Sequence, residues 1–496
     1  MVSKKQHALK LSREYTQANF AGVLSLLLTI VLLFNSFNFD MGTLKPIASS
    51  ISAIYAFFTA IQYFIIWRMK RELLSLGHLK NATRRLGYVQ VTALLTGNIF
   101  IASFGFNLIK EKKTPEYTFS IWMIFTQLFI LVISALNLFK PYVSDTFLPA
   151  MGALLVILII QVFTLVAVAR YVSDEGAPGW MQGIAIVLII TSLTGNIFNL
   201  LLGVSLIIKT RSNSLSRIVK WNTMWDKITR NSTAILGMFF IVLMFALSVS
   251  SRFTFDYDMA VENNYEALLQ SPSLEYPFGT DNYGRDVFSR IIFGARISLI
   301  VGFASTLIPF IVGGALGALA GYYSKRTDNI IMRLLDILYA IPGILLAIAI
   351  IAAFGANTTN LILALSVGSI PTYARTMRAN VMMVSNYEYV DSARALGASN
   401  LSIIFKQIVP NSLAPMIVKA TLTIGTAVIA TSSLSFLGLG VEPHIPEWGN
   451  ILKIGSTYLE SNSYLAIIPG LAIIGLVLSF NFLGDGLRDA FDPRMD

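Results

Sequence analysis

The sequence predicts an all-α polytopic membrane protein with about 12 transmembrane helices. Of its 496 residues, 55% are hydrophobic and only 13% are charged, whereas soluble domains average roughly 25% charged residues. The apolar residues collect in runs of about 17–25, the length at which a helix crosses roughly 30 Å of hydrocarbon. Both observations exclude a soluble globular protein.

Six predicted helices precede residue 210 and six follow it. Charged residues, Gly and Pro interrupt the apolar runs and set their boundaries. The first run lacks a small-residue cleavage site at its end, so it is predicted to be a retained span rather than a signal peptide. The first six helices are predicted at 20–37, 47–67, 88–109, 118–139, 147–170 and 181–208, and the next six at 233–250, 296–322, 333–354, 359–384, 412–434 and 464–483.

Basic residues orient these helices. With the N-terminus inside, 26 of the 37 Lys and Arg residues fall in cytoplasmic segments, Lys140 among them. Cytoplasmic loops carry an excess of Lys and Arg, so both termini are predicted to be cytoplasmic. The outer segment that contains Lys110, Lys112 and Lys113 departs from this rule. Cytoplasmic loops also account for the net charge of +10, so nucleic-acid binding is not expected.

Residues 209–232 are predicted to form a cytoplasmic amphipathic linker between two halves, 1–208 and 233–496. On a helical wheel, apolar residues that include Trp221 and Trp225 share one side, and most basic residues share the other. The pattern favours an elbow helix with its tryptophans at the depth of the lipid headgroups. An ordinary basic linker is the alternative.

The first half contains the sequence LTGNIF twice, at 95–100 and 193–198. Each copy falls within the third predicted helix of a three-helix set. Three is an odd number, so a duplication predicts two sets of opposite orientation, a 3+3 inverted repeat. The alternatives are coincidence and a shared packing motif, in which Gly permits close approach and Asn98 and Asn196 hydrogen-bond between helices.

A cytoplasmic loop in the second half carries the most informative motif. The segment 388–411 reads EYVDSARALGASNLSIIFKQIVPN. Strong helix formers flank a glycine that can adopt positive φ, which predicts a short helix, a turn at Gly397 and a second short helix stopped by Pro410. Small side chains at Ala393 and Ala395 would let this helix press closely against another protein.

This segment resembles the EAA loop of ABC importer permeases. The whole second half is similar to the C-type permease subunit of the oligopeptide/dipeptide branch. The other strings that carry the resemblance are GTDNYGRDVFSRIIFGARISL from Gly279, YAIPG from Tyr339 and SFLGLGVEPHIPEWGNIL from Ser435. Asp391 and Ser392 stand where the family usually has Glu and Ala. The family pattern has no counterpart for residues 1–208.

The resemblance implies a transport subunit that forms half of the translocation pathway of an ATP-driven peptide importer in the bacterial cell membrane. It implies a second permease subunit, two ATP-binding subunits, an extracellular substrate-binding protein, peptide substrate and membrane lipid as partners. The residues implied in coupling to the ATPase are Glu388, Asp391, Ala393, Arg394, Ala395, Gly397 and Pro410.

The sequence gives no sign of catalytic or cofactor chemistry of its own. It has no Walker A pattern and no Gly-Lys dipeptide, so ATP and Mg are expected on the partner subunits, and the chain is expected not to be an enzyme. It has no cysteine, and its three histidines lie far apart, so no metal site is predicted.

Two further groups of charged residues are candidate sites. An outer segment contains Asp281, Arg285, Asp286, Arg290 and Arg296. These residues suit either a mouth where a binding protein docks or a peptide passes, or a turn whose charges pair with one another. Lys419 lies within a predicted span, where it would face the pathway or extend its ammonium to the cytoplasmic interface.

The sequence leaves open the cargo, the transporter class and the role of residues 1–208. The cargo of a close relative could be nickel or glutathione. An ion-coupled secondary transporter is a different class, which an inverted repeat would suit. For residues 1–208 we consider a scaffold for the partner permease, a platform for the binding protein and a lipid-facing accessory domain.

Overall fold

The structure is a computed structural model that describes residues 12–38, 43–211 and 215–492. The described chain is all-α apart from one short antiparallel ribbon. It divides into two compact units. The first contains the chain to Phe125 together with Gln161–Leu188 and Leu201–Ser232, and the second contains Thr126–Ile160, Ile189–Leu200 and the chain from Thr233. The boundaries of the predicted halves remain a prediction.

Two predicted helices of the first half, 118–139 and 147–170, lie within four residues of helices in the structure at both ends. Its elements are α1 (Arg13–Ser36), β1 (Phe37–Asn38), β2 (Thr43–Leu44), α2 (Pro46–Leu76), α3 (Asn81–Val91), α4 (Ile99–Ile109), α5 (Pro115–Ala135), α6 (Phe147–Tyr171), α7 (Met181–Thr191), α8 (Ile197–Arg211) and the linker helix α9 (Leu215–Arg230). Short 3-10 turns lie at Thr92–Thr96, Leu136–Phe139 and Ser192–Thr194.

The second half follows the predicted order of helices. Its elements are α10 (Ser232–Thr254), α11 (Asp258–Val261), α12 (Val287–Tyr322), α13 (Lys325–Tyr339), α14 (Gly343–Phe354), α15 (Thr358–Val384), α16 (Glu388–Ala395), α17 (Asn400–Ile403), α18 (Val409–Leu437), α19 (Trp448–Thr457) and α20 (Tyr464–Phe491). A 3-10 turn lies at Tyr265–Ala267, and a π-helical turn, Ile404–Ile408, joins α17 to α18.

The number of membrane spans differs from the predicted twelve. Within the described residues, eight helices are long and apolar enough to cross a membrane, or nine if one bent pair is a single span. That pair is α13 and α14, which meet at 79° where the sequence predicts one helix over 333–354. Pro342 has no backbone N–H, and its ring disfavours helical geometry at Ile341, so the chain bends there.

The predicted span 88–109 is a helical hairpin rather than one crossing. Arg84 Nη1 near the start of α3 donates to the carbonyl of Leu108 near the end of α4, at 3.3 Å. Farther along, Gly87 and Gly105 bring the two backbones together, with no side chain of their own between them. The two helices are therefore antiparallel, and the chain returns to the end from which it started.

The first LTGNIF copy forms the tip of this hairpin. Gly97 has a φ of +77°, a left-handed conformation that ends a helix and that glycine adopts without steric cost. Asn98 then caps α4, because its side chain accepts the N–H of Ile101 at 3.2 Å. Tyr55 of α2 donates its hydroxyl to the carbonyl of Thr96 at 3.0 Å, which holds the tip against a long helix.

The predicted span 181–208 is a second hairpin, formed by α7 and α8. Lys209 Nζ, near the end of α8, donates to the carbonyl of Ser173, which precedes α7, at 2.8 Å. At the other end, Asn199 Nδ2 donates to the hydroxyl of Thr191 at 3.1 Å. The start and the end of this segment thus lie together, as in the first hairpin.

The second LTGNIF copy forms the second tip, and this tip packs on α10. Gly195 has a φ of +89°, and a Cβ atom there would lie 2.7 Å from Cα of Ala246. Ser250, one turn farther along α10, donates its hydroxyl to the carbonyl of Thr194 at 3.4 Å. The glycine therefore permits both the turn and the close contact.

These hairpins correct the interpretation of the repeat. The inverted repeat required three crossings in each set, with LTGNIF inside the third helix. In the structure each set has two long helices, α1 and α2 or α5 and α6, followed by a hairpin that returns to its starting end. Two crossings leave the orientation unchanged, so a duplication would be a direct rather than an inverted repeat.

The turn after α5 corrects the predicted orientation of the first half. Lys140 Nζ lies 2.5 Å from Asp286 Oδ2, and Asn137 Nδ2 donates to the carbonyl of Thr254, at the end of α10, at 2.9 Å. The predicted topology places Lys140 and Asp286 on opposite sides of the membrane, but an ion pair cannot bridge about 30 Å of hydrocarbon. The predicted topology differs because it treats 88–109 as one membrane crossing. This extra crossing reverses the predicted direction of α5 and α6.

The base of the second hairpin contains a buried ion pair. Lys209 Nζ lies 2.9 Å from Glu116 Oε2, and Ser205 donates its hydroxyl to Glu116 Oε1 at 2.5 Å. Trp221 of α9 donates its indole N–H to Ser205 at 3.0 Å, and Trp225 packs edge-on against an aromatic ring of α5. The linker is helical, as predicted, and both tryptophans contact other parts of the protein.

In the second unit, α12 and α15 pack along a row of glycines. Gly313, Gly317 and Gly321 lie against the backbone of α15, where a Cβ atom would collide with carbonyl oxygens. Such spacing of small residues permits close helix packing. At one end of α12, Tyr322 donates its hydroxyl to Asn400 at 2.9 Å, and the other end begins after Asp286. α12 therefore runs from the segment 388–411 to the opposite end of the unit.

Candidate coupling site and outer turn

Helix α16 has one anchored face and one open face. Val390 is fully buried in an apolar cluster that includes Ile403 of α17. On the other face, the side chains of Asp391 and Arg394 are 67% and 54% exposed and pair at 3.0 Å. Glu388, at the start of the helix, is also exposed. The helix is thus fixed to the unit, and its polar side is free to contact another molecule.

The end of α16 is an open apolar tip. Gly397 has a φ of +81°, and a Cβ atom there would meet nothing within 4 Å. Ala395 and Leu396 are exposed, Leu396 by 88%. Ala393 is partly buried against the cluster beneath. Helix, turn and small residues therefore have the form expected from the sequence, and their part in coupling stays a prediction.

The structure corrects the prediction for Pro410. The sequence predicts a second short helix that stops at this residue, whereas the described chain continues as one helical segment, Asn400–Leu437. Pro410 lies in the first turn of α18, and the π-helical turn Ile404–Ile408 precedes it. A first-turn proline removes an N–H that the helix does not require, and the wider turn accommodates its ring.

The outer charged segment is buried and paired within the fold. Asp281 Oδ1 accepts the backbone N–H groups of Tyr283 and Arg285 at 2.8 and 3.0 Å. Asp281 Oδ2 lies 2.8 Å from Arg285 Nε and 3.8 Å from Arg290 Nε. Arg290 also donates to the carbonyl of Ala260 at 2.7 Å. These contacts favour the self-paired turn for this pair of arginines.

Asp286 begins α12 and binds the lysine of the first half. Its carboxylate accepts the N–H groups of Phe288 and Ser289, each at 3.1 Å, and the hydroxyl of Ser289 at 2.6 Å. Lys140 Nζ binds the same carboxylate and also lies 2.7 Å from the hydroxyl of Ser289. Arg296 lies farther along α12 and is half-buried. Whether a binding protein docks at this turn stays a prediction.

Lys419 bridges two helices beside a cavity. Its Nζ donates to the carbonyl of Thr372 and to the hydroxyl of Thr376 on α15, both at 2.8 Å. The same lysine lines a cavity of about 590 Å³ together with Thr423 and Thr426 of α18. Its positive charge is therefore held by α15 at the cavity edge, which is compatible with the predicted place on the pathway.

Sequence reasoning missed two buried charged residues. From the sequence, Lys140 is predicted only as a basic residue in a loop. No local pattern shows that it pairs with Asp286, which lies 146 positions away. Glu447 is fully buried and accepts the N–H groups of Gly449 and Asn450 at 2.8 and 3.2 Å, which caps α19. Burial raises the pKa of Glu447 above its ordinary value, although these donors oppose the shift. The string PEWGN gave no clear signal of this cap, because Ser, Thr, Asp and Asn, rather than Glu, are the usual N-cap residues.

Residues 313–496 match the family of binding-protein-dependent transport system inner membrane components. The glutathione transport system permease protein GsiD of Pectobacterium atrosepticum is 42% identical over 275 residues, which are 55% of this chain and 91% of that relative. The chain belongs to this permease family. The dipeptide transport system permease protein DppC of Alkalihalophilus pseudofirmus is also 42% identical, over 55% of this chain and 90% of the relative.

The permease match leaves nearly half of the chain without a counterpart in these relatives. One solved structure similar to this chain is the MetNI methionine ABC transporter in an inward-facing conformation. The match is 22% identical, covers 42% of this chain and 98% of the MetNI chain, and has a TM-score of 0.36. The permease family accounts for a multi-span protein of the inner membrane. It also fits a transport subunit that relies on other subunits for ATP hydrolysis.

Proposed function

We propose that this permease serves an ATP-driven importer of oligopeptides or dipeptides and that α16 couples it to an ATP-binding subunit. The observation that carries the coupling role is the structure of α16. Val390 anchors one face, while Leu396 and the Asp391–Arg394 pair are exposed on the other. A short helix fixed to long spans can pass a movement at its surface to the spans themselves.

The cargo proposal rests on the relatives. The names of the two relatives above refer to glutathione and to dipeptides, and glutathione is itself a tripeptide. We propose that an extracellular binding protein delivers peptide to this chain and a second permease subunit. Two ATP-binding subunits would hold ATP and Mg.

We propose that both termini are cytoplasmic. With the corrected direction of α5 and α6, Lys110, Lys112, Lys113 and Arg170 belong to cytoplasmic segments and Lys140 to an outer one. The cytoplasmic share of Lys and Arg then rises from 26 to 29 of 37. The three lysines between α4 and α5 no longer conflict with the excess of positive charge inside.

We infer that the first half is a structural part of this permease rather than a detachable accessory. Part of it, Thr126–Ile160, belongs to the second unit, where Ser134 and Asn137 bind Thr254 and Lys140 binds Asp286. All of these contacts are buried. Their number and burial favour an intramolecular brace over a platform for the binding protein.

Reconstitution tests the proposed transport. The permease would be purified with its partner permease and ATP-binding subunits, placed in liposomes and supplied with the loaded binding protein. We expect uptake of labelled dipeptide that requires ATP. Uptake of nickel without uptake of peptide would contradict the proposed cargo. Uptake that needs no ATP-binding subunit but stops when an uncoupler is added would contradict the ABC mechanism.

A further inference from the structure

A polar cavity lies at the end of the second unit that is farthest along α12 from the coupling helix. It has a volume of about 470 Å³, within the range of about 300–1,000 Å³ typical of small-molecule sites. Loop residues before α12, the segment after α18 and one side of α19 form its walls. The lining includes Asn282, Tyr283, Arg285, His444 and Lys453.

Two polar atoms in this lining have no partner among the described residues. Arg285 is 5% exposed, and Asp281 occupies its Nε, but its Nη2 is buried without a hydrogen bond. Asn282 Oδ1 is likewise buried and unpaired. A buried donor or acceptor left unpaired costs free energy. Both atoms belong to residues that line one cavity, so a ligand there that carries complementary groups can satisfy both.

The charges around the cavity favour an anion. Of the residues that line it, Arg285 and Lys453 are basic and none is acidic, and His444 lies 3.5 Å from Glu442 outside the lining. The nearby carboxylate of Asp281 is shared between Arg285 and Arg290, and Asp286 is taken by Lys140. These two carboxylates thus already have a cation each, and the guanidinium of Arg285 retains an unpaired Nη2.

Tyr283 fixes the orientation of that guanidinium. Its ring lies 4.6 Å from Cζ of Arg285, and Asp281 binds Nε from the side. A stacked and paired guanidinium loses little freedom when it binds a ligand, and guanidinium–carboxylate bonds are among the stronger hydrogen bonds in proteins. The site is therefore organised before any ligand arrives.

We propose that this cavity binds the C-terminal carboxylate of a short peptide. Arg285 Nη2 donates to the carboxylate, Asn282 Oδ1 accepts the adjacent peptide N–H, and Lys453 adds positive charge at the rim. The proposal deepens the proposed function and rests on its peptide cargo. It gives the permease a binding site of its own at the end opposite the coupling helix.

Direct binding to the purified full chain in detergent tests the site without the partner subunits. The probes are Ala-Ala-Ala and its C-terminal amide, measured by calorimetry. We expect the free acid to bind and the amide to bind at least tenfold more weakly, because the amide lacks the negative charge. Equal binding of the two probes, or no binding of either to folded protein, would overturn the proposal.

Two variants separate the site from a general effect of charge or folding. Asn282→Asp is nearly isosteric and supplies an internal carboxylate to Arg285, so it should abolish binding of the free acid without lowering thermal stability. Lys453→Gln should weaken binding several-fold, whereas Lys325→Gln, an exposed lysine at the coupling end, should not. Wild-type affinity in Asn282→Asp overturns the proposal.

Transport and binding can fail independently. If the reconstituted complex imports peptide and the purified chain binds no Ala-Ala-Ala, this cavity is not the site and the cargo stands. If the purified chain binds the free acid but the complex imports no peptide, the cargo proposal fails and with it the assigned identity of the ligand.

Discussion

Lys140 Nζ lies 2.5 Å from Asp286 Oδ2, and the two residues are 146 positions apart in the chain. Both side chains are almost completely buried, at 3% and 0% exposure. The carboxylate also caps α12, so the lysine of the first half completes a site at which a helix of the permease family region begins.

Replacement of this lysine should destabilise the whole chain. Lys140→Met leaves Asp286 charged and buried, and breaking one side of such a pair costs about 3–5 kcal/mol. We expect a lower midpoint of thermal unfolding in detergent. Lys45→Met, which changes an exposed lysine of the same half, should alter stability by about 0.5 kcal/mol or less.

A double-mutant cycle checks that the effect belongs to the pair. Lys140→Met combined with Asp286→Asn should lose less stability than the sum of the two single changes, because neither residue is then left as an unpaired buried charge. Additive losses would show that the two side chains do not interact energetically.

Single cysteines can test the corrected orientation, since the chain has none of its own. Tyr142→Cys should react with a membrane-impermeant maleimide added to intact cells, because the proposed orientation places the turn after α5, together with Asp286, on the outer side. Lys112→Cys should react only after the membrane is opened. Both positions are exposed, so access to the reagent decides the result.

Exposed positions at the two ends of the second unit provide the controls, because the proposal places these ends on opposite sides of the membrane. Lys325→Cys should behave like Lys112→Cys, and Lys453→Cys should behave like Tyr142→Cys. Labelling of Lys112→Cys in intact cells would place residues 110–113 outside, as the sequence alone predicts. It would contradict the hairpin formed by α3 and α4.

Local signals predicted the long helices and α16, whereas chain reversal and distant pairing could not be predicted. Helix formers and a glycine lie side by side at 388–397, so the short helix and its turn follow from neighbouring residues. The hairpin tips sit within apolar runs long enough to cross a membrane, and length alone does not distinguish one long helix from two short ones. The Gly-Asn pairs at 97–98 and 195–196 were the available signal for a turn and an N-cap.

The two tip glycines allow a matched comparison. Both have positive φ, so an alanine at either position lowers the free energy of unfolding by about 1–2 kcal/mol through backbone strain. At Gly97 a Cβ atom meets only Tyr55 Oη at 3.8 Å, whereas at Gly195 it would collide with the backbone of α10. Overpacking adds about 1–3 kcal/mol.

We therefore expect Gly195→Ala to lower thermal stability clearly more than Gly97→Ala. The measurement is the unfolding midpoint of each purified variant. Equal losses would mean that the second tip does not press against α10 and that the shared sequence serves only to form the turn.

The exposed tip of α16 gives the sharpest test of coupling. Leu396→Ser removes an apolar side chain that contacts little in this chain, so stability should change little. If the tip enters a cleft of an ATP-binding subunit, loss of a buried apolar anchor costs about 1–2 kcal/mol, or roughly tenfold in affinity. We expect less ATPase subunit to co-purify and less ATP-dependent uptake.

Two further variants separate contact from folding. Val390→Ser places a hydroxyl in the buried cluster and should lower stability as well as coupling. Leu76→Ser changes an exposed leucine at the end of α2 and should affect neither. If Leu396→Ser keeps full co-purification and uptake, the ATPase does not use this tip. Because the open face of α16 is what distinguishes the loop from an ordinary turn, that result would move the search for the coupling surface to another exposed segment at the same end of α12.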